Sequence, residues 1–326
     1  MSTESGAPAG TRETQETQKT QETQKTQGTQ RTQETQATPD QTGVQYRYHR
    51  DLFPALHDWE NTERAIVEFT GEQGPEGLLG LDQMGHFGPQ GCDAVVGAVV
   101  ARPGPDRAVD LCELGSGFGG ALRYTVDKLA AAGVEVRRSY GVDLVAEHCE
   151  VSARISRAQG RTTMTELCAS ATAVPLPTAS LDLVLVTGSM PHFPDPGAVL
   201  REAARLLRPG GLLVFTEEVS LTPDGEEPSE AFRAIHPRGV FFTTSLTDRT
   251  DQLARAGFGD VERKDLTDWA VALLADRLKV VRIFRGSVAN IYGGASADLI
   301  RDTLTAAREE YLAGRLLPTL FVAGKP

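Results

Sequence analysis

The chain lacks the features that mark secreted, membrane-spanning and metal-stabilised proteins. It has only four cysteines in 326 residues, Cys92, Cys112, Cys149 and Cys168, and no two of them have C-x-x-C spacing. We therefore expect free thiols in a reducing compartment, with neither disulfides nor a metal site. No apolar run approaches the roughly 18 residues of a membrane helix, and the first residues carry no export signal. These absences predict a cytoplasmic protein with no membrane partner.

Positive charge is also scarce. Lysine and arginine number 33 against 44 aspartates and glutamates, which gives a formal net charge of −11. A phosphate backbone is bound mainly through clustered lysine and arginine, so nucleic acid is not expected as a partner. A small molecule is favoured as the substrate, and we expect a monomer or a homodimer.

A low-complexity tract occupies the first part of the chain. Residues 11–43 repeat a degenerate Thr-Gln-(Glu/Lys) triplet and contain almost no apolar side chains. Such a segment buries too little apolar surface to offset the entropy lost on ordering. We therefore predict a disordered tail over residues 1–43, with the folded part starting near Val44.

The most informative segment is a short apolar run followed by glycines. Val109 to Leu114 is typical of a buried strand, and the glycines that follow allow a tight turn into a helix predicted over Ala121–Ala132. Gly115, Gly117 and Gly120 match G-x-G-x-x-G, so a ligand could approach bare N–H groups at the helix N-terminus. The pattern alone fits a dinucleotide, S-adenosylmethionine (SAM) or a turn without a ligand.

Two acids near the glycines separate these ligands. Glu113 stands two residues before Gly115, where it would repel a pyrophosphate but attract the ammonium and sulfonium groups of SAM. Asp143 ends the next predicted strand and is placed to accept hydrogen bonds from ribose hydroxyls. Its distance from Gly115 exceeds the roughly 20 residues expected for a nicotinamide site. The acids therefore favour SAM.

Three further motifs follow in a fixed order. A strand SLDLVLV covers Ser180–Val186, a helix ends in EAARLLRPGG at Glu202–Gly211, and a strand follows at Leu212–Phe215. With the glycine loop, this order resembles the class I SAM-dependent methyltransferases, in particular their small-molecule (methyltransferase type 11, sarcosine-like) branch. The resemblance covers about Gln83 to Phe215.

The resemblance implies an α/β fold. We expect a Rossmann-like seven-stranded sheet with helices on both faces, an antiparallel C-terminal hairpin and an N-terminal helical lid. The late strands Gly259–Leu266 and Leu317–Ala323 fit that hairpin, with helices at Trp269–Phe284 and Ala297–Leu312 between them. The expected division is a helical lid and approach segment at 44–100 and a SAM-binding core at 101–326, with a substrate cap inserted at about 218–245 and 267–313.

The resemblance also assigns residues to the cofactor. Residues around the glycine loop would surround the methionine half of SAM, and residues after the second and third strands would contact its ribose and adenine. The implied cofactor-binding residues are Gln83, Glu113, Gly115, Ser116, Gly117, Gly119, Asp143, Leu144, Ser170, Ala171 and Thr187. Ser170 stands where the family usually has an acid for the adenine amine, and a serine hydrogen-bonds there more weakly.

The implied reaction moves a methyl group to an O, N or C nucleophile of a small metabolite, in secondary metabolism. His192 follows the fourth strand and is the first candidate for a general base, while Glu217, Glu218, His86 and His236 are weaker ones. His192 could instead only pack against the lid. Two alternative functions stay open: a SAM-binding protein of this fold without methyl transfer, such as a cyclase, and a nicotinamide-dependent reductase, which would lack its Tyr-x-x-x-Lys pair.

Overall fold

The computed structural model describes residues 41–71, 82, 83, 85–102, 108–221 and 227–326. The predicted disordered tail therefore lies outside the described residues, apart from its last three. Those three, from Gln41 to Gly43, already belong to the first helix, so the described helix begins before Val44.

The described elements alternate between helices and strands through the core. In chain order they are α1 (Gln41–Leu52), α2 (Pro54–His57), α3 (Trp59–Thr70), α4 (Gly88–Val100), β1 (Ala108–Leu114), α5 (Gly120–Ala131), β2 (Glu135–Asp143), α6 (Ala146–Ala158), β3 (Met164–Cys168), β4 (Leu181–Thr187), a 3₁₀ turn (Met190–His192), α7 (Pro196–Leu206), β5 (Leu207–Ser220), α8 (Glu230–Ile235), β6 (Thr244–Ser245), α9 (Leu246–Arg255), β7 (Gly259–Asp265), α10 (Thr267–Ile283), α11 (Arg285–Tyr292), α12 (Gly294–Leu312) and β8 (Leu317–Gly324).

The strands form one mixed sheet in the order β3-β2-β1-β4-β5-β8-β7, and the two-residue β6 pairs with β5. Strands β1 to β5 run parallel, while β8 is antiparallel to both β5 and β7. The expected seven-stranded sheet with antiparallel C-terminal strands is confirmed, and β6 adds a short eighth strand. The strand order reverses between β1 and β4, which is where open α/β sheets bind ligands, at the carboxyl ends of the strands.

Helices cover both faces of the sheet. On the first face, Cys112, Val184 and Phe215 pack with residues of α7 and α9. On the second face, Leu185 and Val214 pack with residues of α4 and α5. Because successive side chains of a strand point to opposite faces, these clusters fix the face of every polar residue near the strand ends.

The segment between β7 and β8 forms a helical cap of three helices. The sequence predicts two there, and α11 fills the interval between them. The cap has its own apolar cluster, in which Phe87 and Phe232 pack against Leu274 of α10 and Tyr311 of α12. No helix in the described part of the chain has the length and apolar character needed to cross a membrane.

Candidate active site

The glycine loop after β1 is held against the end of β2. The backbone N–H groups of Gly115 and Ser116 both donate to the Val142 carbonyl, at 2.8 and 3.0 Å. Gly115, Gly117 and Gly119 have φ values of 72°, 52° and 74°, in the left-handed region that favours glycine. The loop therefore turns sharply from β1 into α5.

Gly115 is needed for space as well as for conformation. A Cβ atom added at Gly115 would lie 2.6 Å from the Ser189 Oγ and 3.1 Å from the Phe193 ring. Ser189 follows β4 and donates to the Leu114 carbonyl at 2.7 Å. The loops after β1 and β4 are thus in contact, and a larger residue at position 115 would separate them.

Glu113 and Thr187 end neighbouring strands on the second face of the sheet. Glu113 is 1% exposed, and burial raises the pKa of its carboxyl to about 7, against the opposing charge of the Arg123 guanidinium. Within the described residues, the Glu113 Oε2, the Thr187 Oγ1 and the Thr216 Oγ1 are buried without a hydrogen-bond partner. Buried polar atoms are rarely left unpaired, so this corner of the site suits a donor such as an ammonium group.

Gln83 supplies a buried hydrogen-bond donor that complements these acceptors. Its Oε1 accepts from the Cys92 Sγ at 3.7 Å, while its Nε2 is buried without a partner among the described residues. Burial raises the pKa of the Cys92 thiol, and the charge of Glu113 adds to that shift, so Gln83, Cys92 and Glu113 are neighbours. A free amide N–H beside a free carboxylate fits the two ends of an amino acid.

Asp143, at the end of β2, is tied to the glycine loop. Its Oδ2 accepts from the Gly117 N–H at 2.9 Å, and its Oδ1 accepts from the Val145 N–H at 2.9 Å and the His148 Nδ1 at 3.1 Å. Burial alone would raise the pKa of Asp143, but the His148 hydrogen bond and charge bring it below its usual range. Asp143 is therefore an ionised acceptor between the loop and α6.

The remaining expected cofactor residues lie at the ends of β2 and β3. Leu144 is half-buried, and its carbonyl lies 3.9 Å from the Cys168 Sγ. The Ser170 hydroxyl is hydrogen-bonded to the Thr172 hydroxyl at 2.8 Å and accepts from the Thr172 N–H at 3.2 Å. Ala171 packs into the core of the first face. The fold thus brings Leu144 and Ser170 to the same edge as Asp143.

His192 lies in the 3₁₀ turn after β4 and has a fixed ring orientation. Its Nδ1 is 2.8 Å from the Val240 carbonyl, which can only accept, so the Nδ1 carries the proton and a neutral ring has its lone pair on the Nε2. Its backbone carbonyl accepts from the Gln45 side chain of α1 at 3.1 Å. Burial lowers the pKa of His192, so the ring is neutral at pH 7 and able to take a proton.

The side chain of the candidate base Glu217 does not lie in the site with His192. Strand alternation directs Glu217 to the first face, where both its oxygens accept from Arg249 of α9 at 2.5 and 2.8 Å. Both side chains are 1% exposed. Of the two candidate bases Glu217 and Glu218, only Glu218 lies on the second face.

Glu218 and the candidate base His86 are in contact. The Glu218 Oε1 lies 3.4 Å from the His86 Nδ1 and accepts from the Tyr311 hydroxyl at 2.8 Å. Burial alone would raise the pKa of Glu218, but the hydrogen bonds of His86 and Tyr311 bring it below its usual range. Glu218 is therefore a buried, ionised carboxylate.

All six histidines of the chain form one line of ring contacts, which we call the histidine array. Consecutive rings lie 5.4 to 6.1 Å apart, and Tyr48 of α1 bridges the middle of the line. The order along the line is His57, His148, His49, His192, Tyr48, His236 and His86. The array links Asp143, through His148, to Glu218, through His86. Among the described residues no group of histidines, cysteines and acids is arranged to bind a metal.

Sequence reasoning missed the array and one buried ion pair. Arg123 of α5 lies 2.9 Å from Asp82, and their side chains are 3% and 6% exposed. Arg123 also donates to the Phe118 carbonyl, so the pair attaches the segment before α4 to the glycine loop. Asp82 precedes Gln83 in the Leu-Asp-Gln string, which was the available signal, but nothing local in the sequence indicates Arg123 as its partner.

Comparisons with known proteins agree with this architecture. Residues 112–215 match the family described as "Methyltransferase domain". The 27-O-demethylrifamycin SV methyltransferase of Amycolatopsis mediterranei is 35% identical over 103 residues, 31% of this chain and 38% of that protein. The sarcosine/dimethylglycine N-methyltransferase of Halorhodospira halochloris is 35% identical over 115 residues, 35% of this chain and 38% of that protein. These matches span well under half the length of either relative.

A solved structure extends the likeness beyond the matched domain. Phosphoethanolamine N-methyltransferase 2 of Haemonchus contortus, in complex with phosphomonomethylethanolamine and S-adenosylhomocysteine, superposes with a TM-score of 0.64. The match has 18% identity and covers 80% of this chain and 60% of the other. The likeness establishes the shared fold, including the helices around the sheet.

Proposed function

From the methyltransferase domain at residues 112–215, we propose that this chain binds SAM and transfers its methyl group to a small-molecule acceptor. The observation that carries the proposal is the set of unpartnered buried atoms at the glycine loop. The Glu113 Oε2 and Thr187 Oγ1 can accept from an ammonium, and the Gln83 Nε2 can donate to a carboxylate. An amino-acid end bound in this way satisfies all three.

The rest of the edge fits the other half of SAM. Asp143 keeps acceptor capacity for ribose hydroxyls beside its bonds to the loop, and Leu144, Ser170 and Ala171 would line the adenine. SAM supplies an electrophilic methyl carbon on a positively charged sulfur. The acids Glu113 and Asp143 are suited to hold that positive charge.

The acceptor side of the proposal relies on His192. Its Nδ1 bond to Val240 leaves the Nε2 lone pair free to remove a proton from the acceptor. Neighbouring side chains exclude water, since Tyr48 and Phe241 lie 5.6 and 5.7 Å from the His192 ring. Holding the nucleophile in line with the S–CH₃ bond supplies much of the remaining rate.

The wider biological setting belongs to the same proposal. The relatives named above carry O- and N-methyltransferase activities in their names, and a role in secondary metabolism is in keeping with the first of them. A cytoplasmic location is in agreement with four free cysteines. We also propose a monomer or homodimer and a tail over the residues before α1.

Calorimetry with SAM and with NADH tests the proposal. We expect SAM to bind in the micromolar range, on the order of −8 kcal/mol, and NADH not to bind. Release of S-adenosylhomocysteine in the presence of candidate acceptors then measures transfer. Clear NADH binding without SAM binding would overturn the proposal, and SAM binding without any transfer would favour the cyclase-like alternative.

A further inference from the structure

Two adjacent glutamates at the end of β5 have opposite electrostatic settings. Glu217 is matched by Arg249, which holds both of its oxygens. Glu218 makes no ion pair with lysine or arginine among the described residues, and its partners there are His86 and Tyr311. Of these two glutamates, only Glu218 lacks a lysine or arginine partner in the described part of the chain, and the basic group beside it is the His86 imidazole.

Histidine rings are the basic groups near Glu218. Burial lowers the pKa of His236 to about 2 and also lowers the pKa of His192, so both rings are neutral near pH 7. Glu218 is 6% exposed, and a buried carboxylate held by an imidazole and a hydroxyl is compensated less fully than one paired with arginine. A site of this kind gains free energy when a cation enters it.

The position of Glu218 indicates which reactant this cation would be. Glu218, Glu113 and Thr187 share the second face of the sheet, and the histidine array runs from Asp143 through His192 to Glu218. His192 therefore lies between the cofactor acid and Glu218. A group held between His192 and Glu218 would be the acceptor.

We infer that Glu218 makes the acceptor site selective for an amine, so that this chain is an N-methyltransferase; the inference rests on the proposed function. An ammonium acceptor binds at Glu218 and gives one proton to the His192 Nε2. The nitrogen lone pair then forms the bond to the methyl carbon while the C–S bond breaks, its electron pair passing to sulfur. The positive charge leaves sulfur and appears on nitrogen, beside Glu218.

Electrostatics distinguishes this acceptor from a hydroxyl. As the new N–C bond forms, positive charge grows on the nitrogen, and a fixed carboxylate there stabilises the transition state. A hydroxyl acceptor instead becomes negative as it loses its proton, and Glu218 would repel it. The aromatic rings of Tyr48 and Phe241 beside His192 also suit an alkylammonium.

Matched pairs of probes test the inference in the full-length protein. Primary amines of increasing size, from ethylamine to tryptamine, are each compared with the alcohol of the same skeleton, in calorimetry with S-adenosylhomocysteine and in transfer assays with SAM. We expect at least one amine to bind about tenfold or more tightly than its alcohol and to be methylated on nitrogen. A tenfold preference corresponds to the free energy of a hydrogen bond between charged groups.

Variants of the two glutamates locate the effect. Glu218→Gln should remove the amine preference while SAM affinity stays unchanged, and Glu218→Asp should restore part of it. Glu217→Gln, on the opposite face, should keep the preference even if it lowers the melting temperature. Methylation of alcohols only, no amine preferred, or a preference that survives in Glu218→Gln overturns the inference; failure of SAM itself to bind overturns the proposed function instead.

Discussion

The cofactor end and the acceptor end of the proposed site are formed by different kinds of structural element. The cofactor end consists of the backbone of a glycine loop and of acids that stand directly after β1 and β2. The acceptor end consists of side chains from α1, the segment before α4, β5, the residues after α8 and the cap helix α12. The first depends on the local course of the chain, and the second on how distant elements pack, so mutations should separate them.

The largest expected effect lies at the acceptor end. His192→Ala removes the proposed general base, so turnover should fall roughly 10²–10⁴-fold with SAM affinity little changed. Turnover is measured with the true acceptor across pH. The variant should also lose an ionisation from the acidic side of the rate profile. Near-normal turnover would leave His192 a packing residue and weaken the contrast between the ends.

The complementary effect, a loss of SAM affinity with little change in turnover, is expected at the cofactor end. Asp143→Ala removes a carboxylate that is bound to the loop and is placed to receive ribose hydroxyls, so SAM binding should weaken by roughly 1–3 kcal/mol. Calorimetry gives the affinity, and turnover at saturating SAM should change much less. Asp251→Ala, which removes an exposed carboxylate of α9, is a control that should not alter either value. Unchanged affinity in Asp143→Ala would place the ribose elsewhere.

A smaller effect concerns the packing of α1 on the histidine array. Burial lowers the pKa of His49 to about 3, and the charges of His192 and His148 lower it further while Asp143 opposes them. The unfolded state therefore takes up a proton near pH 6.5 that the folded state does not, so stability falls as the pH drops below about 6.5.

The measurement compares the pH dependence of the free energy of unfolding in the parent protein and in the His49→Gln variant. The pKa of Glu113 is raised to about 7, so Glu113 makes the free energy of unfolding rise as the pH falls through the same range. Because both proteins contain Glu113, its contribution cancels in the difference between them. The free energy of unfolding of the parent should fall more steeply between pH 6.5 and 5.5 than that of His49→Gln, by about 1 kcal/mol. Parallel curves would show that His49 is not buried against its neighbours.

The smallest effect is expected outside both ends. A chain that starts at Gln41 lacks the Thr/Gln triplets but retains α1, so we expect its melting temperature and SAM affinity to match those of the full chain. A chain that starts at Pro54 lacks α1 as well and should lose transfer activity, because Tyr48 and His49 are removed from the array. A fall of many degrees in the first variant would show that the tail packs on the fold.

Strand alternation decided a point that the sequence left open. Glu217 and Glu218 are equivalent in composition and local pattern, and a shift of one residue moves a side chain to the other face of the sheet. Only the register of β5 against β4 and β8 shows that Glu217 meets Arg249 while Glu218 meets His86.

The sequence by itself determined the sheet, the glycine loop and the placement of Glu113 and Asp143 at strand ends, because each is encoded by a short run of neighbouring residues whose backbone conformation is local. The tertiary structure alone decided the acceptor end. Tyr48 meets His236 across 188 positions, and Gln45 meets His192 across 147. Such contacts depend on how whole helices dock onto the sheet, and no local pattern in the chain specifies that geometry.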